Sequence, residues 1–534
     1  MQFISLALIM IPIVTALIIY LIKAKTINLL PLAAQAVMTV LAVLYFIEFK
    51  DDFSQTAFVF GGWDSRIGIS LLNDALSMTF IFLTLFSWWL VQLYIFTWKQ
   101  TPHTFLFFLM FLQGVFLGLL QTNDLFNMFV FLELTTLIVT ILIAFKKAGD
   151  SFRAGLYYLL LNTSGVLAFL MGIIIIYYTF GTINIYAIRA DMAILGDVRA
   201  VRLAYVLLIA GISVKSAFFP VFTWLPKAHG AAQSSISALL SGLIVKGGLY
   251  LFIRVHTMFE PAQLDIGTLY FYIGAVGAIV GAVFALSQDS IKQLLAYSTV
   301  SQIGVILMAL SFDPTLFSTG AVFHILNHAF AKMLLFFAAG IIIKVYKTKK
   351  LYEIQGLFKT MPVLTVFMVI AMLSLSGMPF LAGYASKSLI KYQIAEGSLM
   401  YGFFYASNLF TPIILLKLGK IFLGPKSLNH YFYHTFATGA MGLLALTLVG
   451  FGIFFQPLFT VLWSVDFSQV NPASLSSWLD YAVIMGVAFL LYYFVLEKEK
   501  KIMAKIRHFS VSFETANILF LGYIVGLISL YFIL

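Results

Sequence analysis

The 534-residue chain contains no cysteine, which excludes disulfides, thiolate metal sites, cysteine-ligated iron–sulfur clusters and cysteine nucleophiles together. Charge is nearly as scarce. Only 10% of residues are Asp, Glu, Lys or Arg, where soluble domains carry roughly 25%. Linkers, low-complexity tracts and any stretch of soluble-domain composition are missing too. What is present is apolar, at 62% of residues, so lipid must be the main solvent and the chain reads as integral membrane. The net charge of +11 would point to nucleic acid in a soluble protein. Here the basic residues cluster in short loops, where they act as topology determinants and contacts for anionic lipid. Met1–Ile22 has no charged leader and no small-residue cleavage site, and reads as a first span rather than a signal peptide.

A span needs about 20 apolar residues to cross the hydrocarbon core. Sixteen candidates, numbered here in chain order, fall near 3–22, 28–48, 69–97, 103–121, 124–146, 154–180, 203–226, 236–258, 266–287, 295–312, 315–345, 359–395, 401–424, 434–464, 478–496 and 514–534. Spans 7 and 12 contain prolines and polar residues, and span 12 is too long for one simple helix. The loops after spans 1, 3, 5, 9, 11, 13 and 15 hold the basic clusters, among them Lys23, Lys25, Lys99, Lys146, Lys147, Lys292, Lys417, Lys426, Lys498 and Arg507. Alternate loops hold acids such as Asp51, Asp52, Glu260, Asp265, Asp313, Glu396 and Asp466, with Arg189, Arg199 and Arg202 after span 6 as the exception. The positive-inside rule then makes the chain a multi-pass protein of the cell (inner) membrane with both termini on the non-cytoplasmic side.

Ionisable residues in mid-span carry the functional signal. Glu133 lies in span 5, Lys215 in span 7, Lys246 in span 8 and Lys387 in span 12. His324, His328 and Lys332 are spaced four apart in span 11 and share one helix face. Each such charge costs roughly 2.5–3.5 kcal/mol at a helix centre, and Lys215 and Lys246 are too deep to snorkel. The set reads as an internal ion pathway. Burial favours the neutral amine and a nearby carboxylate favours the ammonium, so a Glu–Lys pair stores or releases a proton as it closes or separates. Sodium would call for oxygen-rich ligands; a lysine-dominated chain suits protons.

Pro220 and Pro226 follow Lys215, while Gly377, Pro379 and Gly383 precede Lys387. Proline interrupts the helical ladder and glycine loosens it, so both spans are expected to break there, as transporter sites built from repeats do. Leu161–Asn162 in span 6 and Leu326–Asn327 in span 11 form a weak internal echo. It pairs spans 4–8 with spans 9–13, and adjacent repeats of odd helix number must be inverted. The chain divides accordingly into 1–102 (spans 1–3), 103–258 (first repeat), 259–425 (second repeat) and 426–534 (C-terminal spans). The expected fold is an all-α polytopic membrane protein of about 14–16 transmembrane helices, with two inverted five-helix repeats and discontinuous helices 7 and 12.

The segments Asp289–Gly304, Lys215–Tyr250, His324–Gly340 and Gly377–Lys387 closely resemble the antiporter-like subunits of respiratory complex I. The same family includes the large subunits of Mrp-type Na⁺/H⁺ antiporters, membrane-bound hydrogenases and inorganic-carbon accumulation systems. The resemblance covers roughly residues 70–425. It implies a fourteen-helix core and a proton relay of Glu133, Lys215, Lys246 and Lys387, with His324, His328 and Lys332 helping to connect two half-channels. The span-12 run SGMPFLAGYASK departs from the commoner family pattern, and Glu497–Arg507 is too short for the lateral helix of complex I's distal subunit.

Three functions share this machinery. The first is the proton-translocating subunit of a multisubunit Mrp-type cation/proton antiporter. The second is a pumping subunit of a complex I-like NADH:quinone oxidoreductase or hydrogenase; the third is the membrane partner of an inorganic-carbon uptake complex. The residues offer no redox chemistry of their own, no cofactor is expected, and His324 and His328 are read as proton groups rather than metal ligands. Expected partners are other membrane subunits, the lipid bilayer, protons and Na⁺, and no nucleic acid.

Overall fold

The computed structural model describes residues 3–22, 29–96, 101–146, 148–196, 198–262, 267–311, 319–425, 434–463, 470–496, 500–509 and 511–533. Lys23, Lys25, Lys99, Lys147, Lys426, Lys498, Asp265, Asp313 and Asp466, used above to orient the loops, lie outside them. Among the described residues fourteen helices are long and apolar enough to cross a membrane. They coincide with fourteen of the sixteen expected spans. The other two, spans 7 and 12, are each a pair of shorter helices. Helices dominate because hydrocarbon offers the backbone no hydrogen bonds, so each segment must satisfy its own. Several begin on a side-chain cap: Asp124 accepts from the Asn127 N–H at 2.6 Å before span 5, and Ser398 accepts from Tyr401 at 3.2 Å before span 13.

The helices group into two compact units, Met1–Ser216 with Leu243–Asp265 and Phe513–Leu534, and Ala217–Gly242 with Ile266–Ser512. In the first unit, spans 6 and 7 pack through small residues. A Cβ on Gly165 would lie 2.9 Å from Val214, and one on Gly211 2.9 Å from the Phe169 Cβ. At one end of this unit, a short hairpin pairs Phe58–Val59 with Ser70–Leu71. Beneath it the Asn73 amide donates to Ser5, Tyr45 and Gln121 at 2.9–3.2 Å, tying spans 1, 2 and 4 to the start of span 3. Arg254 of span 8 grips Asp74 with two bonds of 2.5 and 2.6 Å. Burial pushes the Asp74 carboxyl up, yet the guanidinium and Ser77 outweigh it and hold the group below the usual carboxylate range.

In the second unit, spans 9 and 10 approach closely at Gly281 and Gly304, where an added Cβ would lie 2.9 Å from the Ser301 Cα and 2.8 Å from the Ala278 Cα. Three basic residues assigned above to loops have structural duties here. Lys292 lies inside the first turn of the helix Ile291–Leu310 and donates to the Ala232 carbonyl at 2.8 Å. Lys417 donates to the carbonyls of Leu286 and Gln288 at 2.6 Å each, and Arg507 pairs with Asp289. These charges can sit in or beside apolar helices because backbone oxygens or a carboxylate complete their bonding.

Both discontinuous spans are built alike. In span 7 the helix Arg199–Lys215 stops, Ala217 adopts φ +55°, the Phe219–Pro220 bond is cis, and a second helix runs Trp224–Ala231. In span 12 the helix Pro362–Ser376 stops at Gly377 (φ +91°), Phe380 adopts φ +66°, and a second helix runs Ala382–Tyr392. Pro220, Gly377 and Pro379 lie in the breaks. Pro226 and Gly383 instead fall in the first turns of the second helices, where an unpaired N–H is tolerated. Span 8 carries a π-helical turn, Leu240–Ile244, just before Lys246. Nothing in the apolar pattern pointed to it.

Candidate functional site

Each unit holds its own cluster of buried ionisable groups. In the first, Lys215 is the last residue before the span-7 break and is 4% exposed. Its ammonium donates to the Thr136 hydroxyl at 2.6 Å and makes longer contacts of 3.4 Å with the Leu132 carbonyl and the Tyr158 hydroxyl. Thr136 in turn donates to Leu132 O at 2.9 Å, so its oxygen is free to accept from the lysine. The ammonium also lies 5.6 Å from the centroid of the Tyr158 ring.

Glu133 sits between Leu132 and Thr136 on span 5 and acts electrostatically on both Lys215 and Tyr158 without bonding to either. One carboxylate oxygen accepts from Thr163 of span 6 at 3.1 Å; the other is buried with no hydrogen-bond partner among the described residues. Lys215 thus bonds residues on either side of Glu133 in the chain, and not Glu133 itself.

Lys246 is fully buried two residues before Gly248. A Cβ at Gly248 would lie 2.8 Å from the Ser216 nitrogen and 3.0 Å from its Cα. Span 8 thus presses its backbone directly against the span-7 break. That contact brings the helix carrying Lys246 against the residue following Lys215. Ser216 Oγ, at the contact, is buried without a partner.

The second unit gathers His324, His328 and Lys332 on span 11 and Lys387 on span 12, all 8% exposed or less. Lys332 donates to the Leu295 carbonyl at 3.1 Å and the Ser298 hydroxyl at 2.5 Å. His324 is held at both ring nitrogens, Nε2 against Gln302 Oε1 at 3.0 Å and Nδ1 against Ser386 Oγ at 2.9 Å. Gln302 donates its amide to Thr411, which turns its oxygen to His324 and makes Nε2 a donor. In the neutral ring Nδ1 accepts from Ser386. That hydroxyl also lies 3.1 Å from the Gly383 carbonyl.

Asn327 accepts from Ser374 at 2.7 Å, and Ser374 Oγ accepts the Gly383 N–H at 3.2 Å, so span 11 ties together the two halves of span 12. The Lys387 stem packs against the break, where a Cβ on Gly377 would meet its Cδ at 3.1 Å. Its ammonium has no hydrogen-bond partner among the described residues.

Glu133, Lys215 and Lys246 therefore lie within one unit, and His324, His328, Lys332 and Lys387 within the other. The partners that hold them, Thr136, Tyr158, Thr163, Ser298, Gln302 and Ser386, were not singled out from the sequence. Some signal existed: Thr136 is three residues from Glu133 on one helix face, and Gln302 is a lone amide in an apolar run.

Residues 122–411 match the family described as NADH:quinone oxidoreductase/Mrp antiporter, transmembrane. The chain belongs to this family. Among its relatives is the protein called "Putative antiporter subunit mnhD2" in Staphylococcus aureus strains JH9 and Newman. The two are 30% identical over 367 residues, covering 68% of this chain and 73% of the relative. Two solved structures share the fold. One is a chain of the membrane-bound sulfane sulfur reductase, an archaeal respiratory membrane complex, with TM-score 0.79, 24% identity and coverage of 91% of this chain and 99% of that one. The other is a chain of the Mrp complex from Dietzia sp. DQ12-45-1b, with TM-score 0.75, 20% identity and coverage of 95% and 99%. Membership fixes the chain as a multi-pass membrane protein of a family of complex subunits, and the spans lost to a simple length count are the two that break.

Proposed function

We propose that the chain is the proton-translocating membrane subunit of a multisubunit Mrp-type cation/proton antiporter, with other membrane subunits as partners and the lipid bilayer, protons and Na⁺ as its remaining contacts. The observation that carries this reading is Lys215: a buried ammonium at a helix break, held by one short bond on the helix that carries Glu133, whose carboxylate bonds Thr163 rather than the lysine. Such a group changes charge at modest cost when the carboxylate moves toward or away from it. The relay residues are Glu133, Lys215 and Lys246 in the first unit and His324, His328, Lys332 and Lys387 in the second. Residues 103–258 and 259–425 form the two inverted repeats, flanked by 1–102 and 426–534, and both termini lie on the non-cytoplasmic side.

The redox-driven and carbon-uptake readings keep the same relay but other partners. Copurification separates them: small membrane subunits accompany an antiporter, quinone or iron–sulfur subunits a redox complex, and a large zinc protein a carbon-uptake machine. The relay itself is tested by Lys215→Ala in everted vesicles. Proton-coupled transport is expected to vanish while the complex still assembles; normal coupling in assembled mutant complexes removes Lys215 from the mechanism.

A further inference from the structure

A cavity of about 510 Å³ lies beside the second half of span 12, and the Lys387 side chain forms part of its wall. The lysine is 8% exposed and its ammonium has no hydrogen-bond partner among the described residues. Polar and apolar surface share the lining about equally. Lys391 and Tyr384 come from the same helix, Glu396 from the loop after it, Tyr405 from span 13, and Asp480 and Tyr481 from span 15. An ammonium at this cavity is stabilised by a counter-charge, and two of the described lining groups, Glu396 and Asp480, are carboxylates.

Of these, Asp480 is the one fixed on a long helix, and it is already engaged. Its Oδ2 lies 3.2 Å from Lys391 Nζ, which also sits 5.6 Å from the Tyr405 ring centroid. Lys387 and Lys391 are four residues apart, so they share a helix face and reach into the same cavity. Two lysines, and one carboxylate held to the second of them, thus line one cavity. Span 15 supplies that carboxylate, and it lies outside the residues 122–411 that match the family.

We infer that Asp480 is a functional residue of the Lys387 site: it bonds Lys391 while Lys387 is neutral and provides the counter-charge when Lys387 takes a proton from water in the cavity. In that step an N–H bond forms on Nζ as an O–H bond of a hydronium ion in the cavity breaks and leaves water, and the carboxylate turns from Lys391 to the new ammonium, leaving Lys391 to water and the Tyr405 ring. The inference rests on Lys387 belonging to the relay proposed above.

The test uses the assembled complex in vesicles. Asp480→Asn is expected to lower proton-coupled transport about tenfold, the effect of losing one close opposite charge, and Asp480→Glu to restore most of it. Wild-type coupling in Asp480→Asn, or failure of Asp480→Glu to improve on it, overturns the inference. The double variant Lys391→Gln/Asp480→Asn separates function from packing. A merely structural ion pair is relieved when both charges go, whereas a counter-ion for Lys387 is still missing, so recovery in the double variant also overturns the inference. Ser388 lines the cavity and the chain has no cysteine, so Ser388→Cys provides a single thiol in this subunit. A membrane-impermeant thiosulfonate is expected to label it and block transport; an unreactive thiol refutes the aqueous cavity. Lys387→Ala is the control for the underlying reading. If it transports normally, the relay assignment fails. If it is inactive while Asp480→Asn is normal, only the role of Asp480 fails.

Discussion

Thr136→Val removes the shortest bond made by the Lys215 ammonium and changes almost nothing else. Valine has nearly the shape of threonine, and the lost donation from Thr136 to Leu132 O leaves the helix ladder intact. A hydrogen bond to a charged group contributes about 1.5–3 kcal/mol. At about 1.4 kcal/mol per factor of ten, its loss lowers the occupancy of the charged, docked lysine by about 10- to 150-fold. Two contacts remain, to Leu132 O and the Tyr158 hydroxyl, but at 3.4 Å each they recover only part of this. The expected result is a loss near the lower end, about tenfold, in the initial rate of proton-coupled transport by everted vesicles, normalised to assembled complex. Thr136→Ser keeps the oxygen and should stay close to wild type. If Thr136→Val complexes assemble and couple normally, Thr136 does not hold Lys215 in the working state, and the account of that site fails.

Two further outcomes follow from the same geometry. Glu133→Gln deletes the charge acting on Lys215 while nearly preserving shape, including an oxygen for the Thr163 bond. Coupling should be crippled, and an unchanged rate and pH dependence would sink the pair-switch idea. Gly248→Ala drives a methyl into the Ser216 backbone. Displacing that contact should cost about 1–3 kcal/mol, visible as a lower unfolding temperature of the purified complex together with reduced coupling; an unshifted melting temperature refutes the close approach of span 8 to the break.

The span pattern was legible because hydrocarbon imposes it: runs of apolar residues of the right length have few alternatives to a helix. Both breaks were legible too, since Pro220 and Gly377 with Pro379 interrupt otherwise continuous apolar runs. The details of the breaks were less so. Pro226 and Gly383 lie in the first turns of the second helices, because proline suits a first turn as well as a break. The lysines announced themselves by the cost of burying them, but their partners did not. Thr136 and Tyr158 are 79 and 57 residues from Lys215. Hydroxyls are common in spans, and the sequence carries no mark of which one a lysine meets. Lys292 and Lys417 misled for the opposite reason: a lysine near a helix end looks like a loop charge until the carbonyls that bind it are seen.

The two breaks set their lysines on opposite sides of the interruption. Lys215 closes the first half of span 7, whereas Lys387 lies in mid-helix within the second half of span 12. A helix carries about half a negative charge at its C-terminal end, worth typically 0.3–1 kcal/mol to a nearby cation and up to about 2 kcal/mol when partly buried. Lys215 receives that field from its own backbone, permanently and without any partner having to move. Lys387 sits in mid-helix, yet its ammonium lies beside Gly377, where the helix Pro362–Ser376 ends, and takes its field from there. One lysine is thus served by the helix it closes and the other by the helix across the break, an electrical polarity written into the backbone itself.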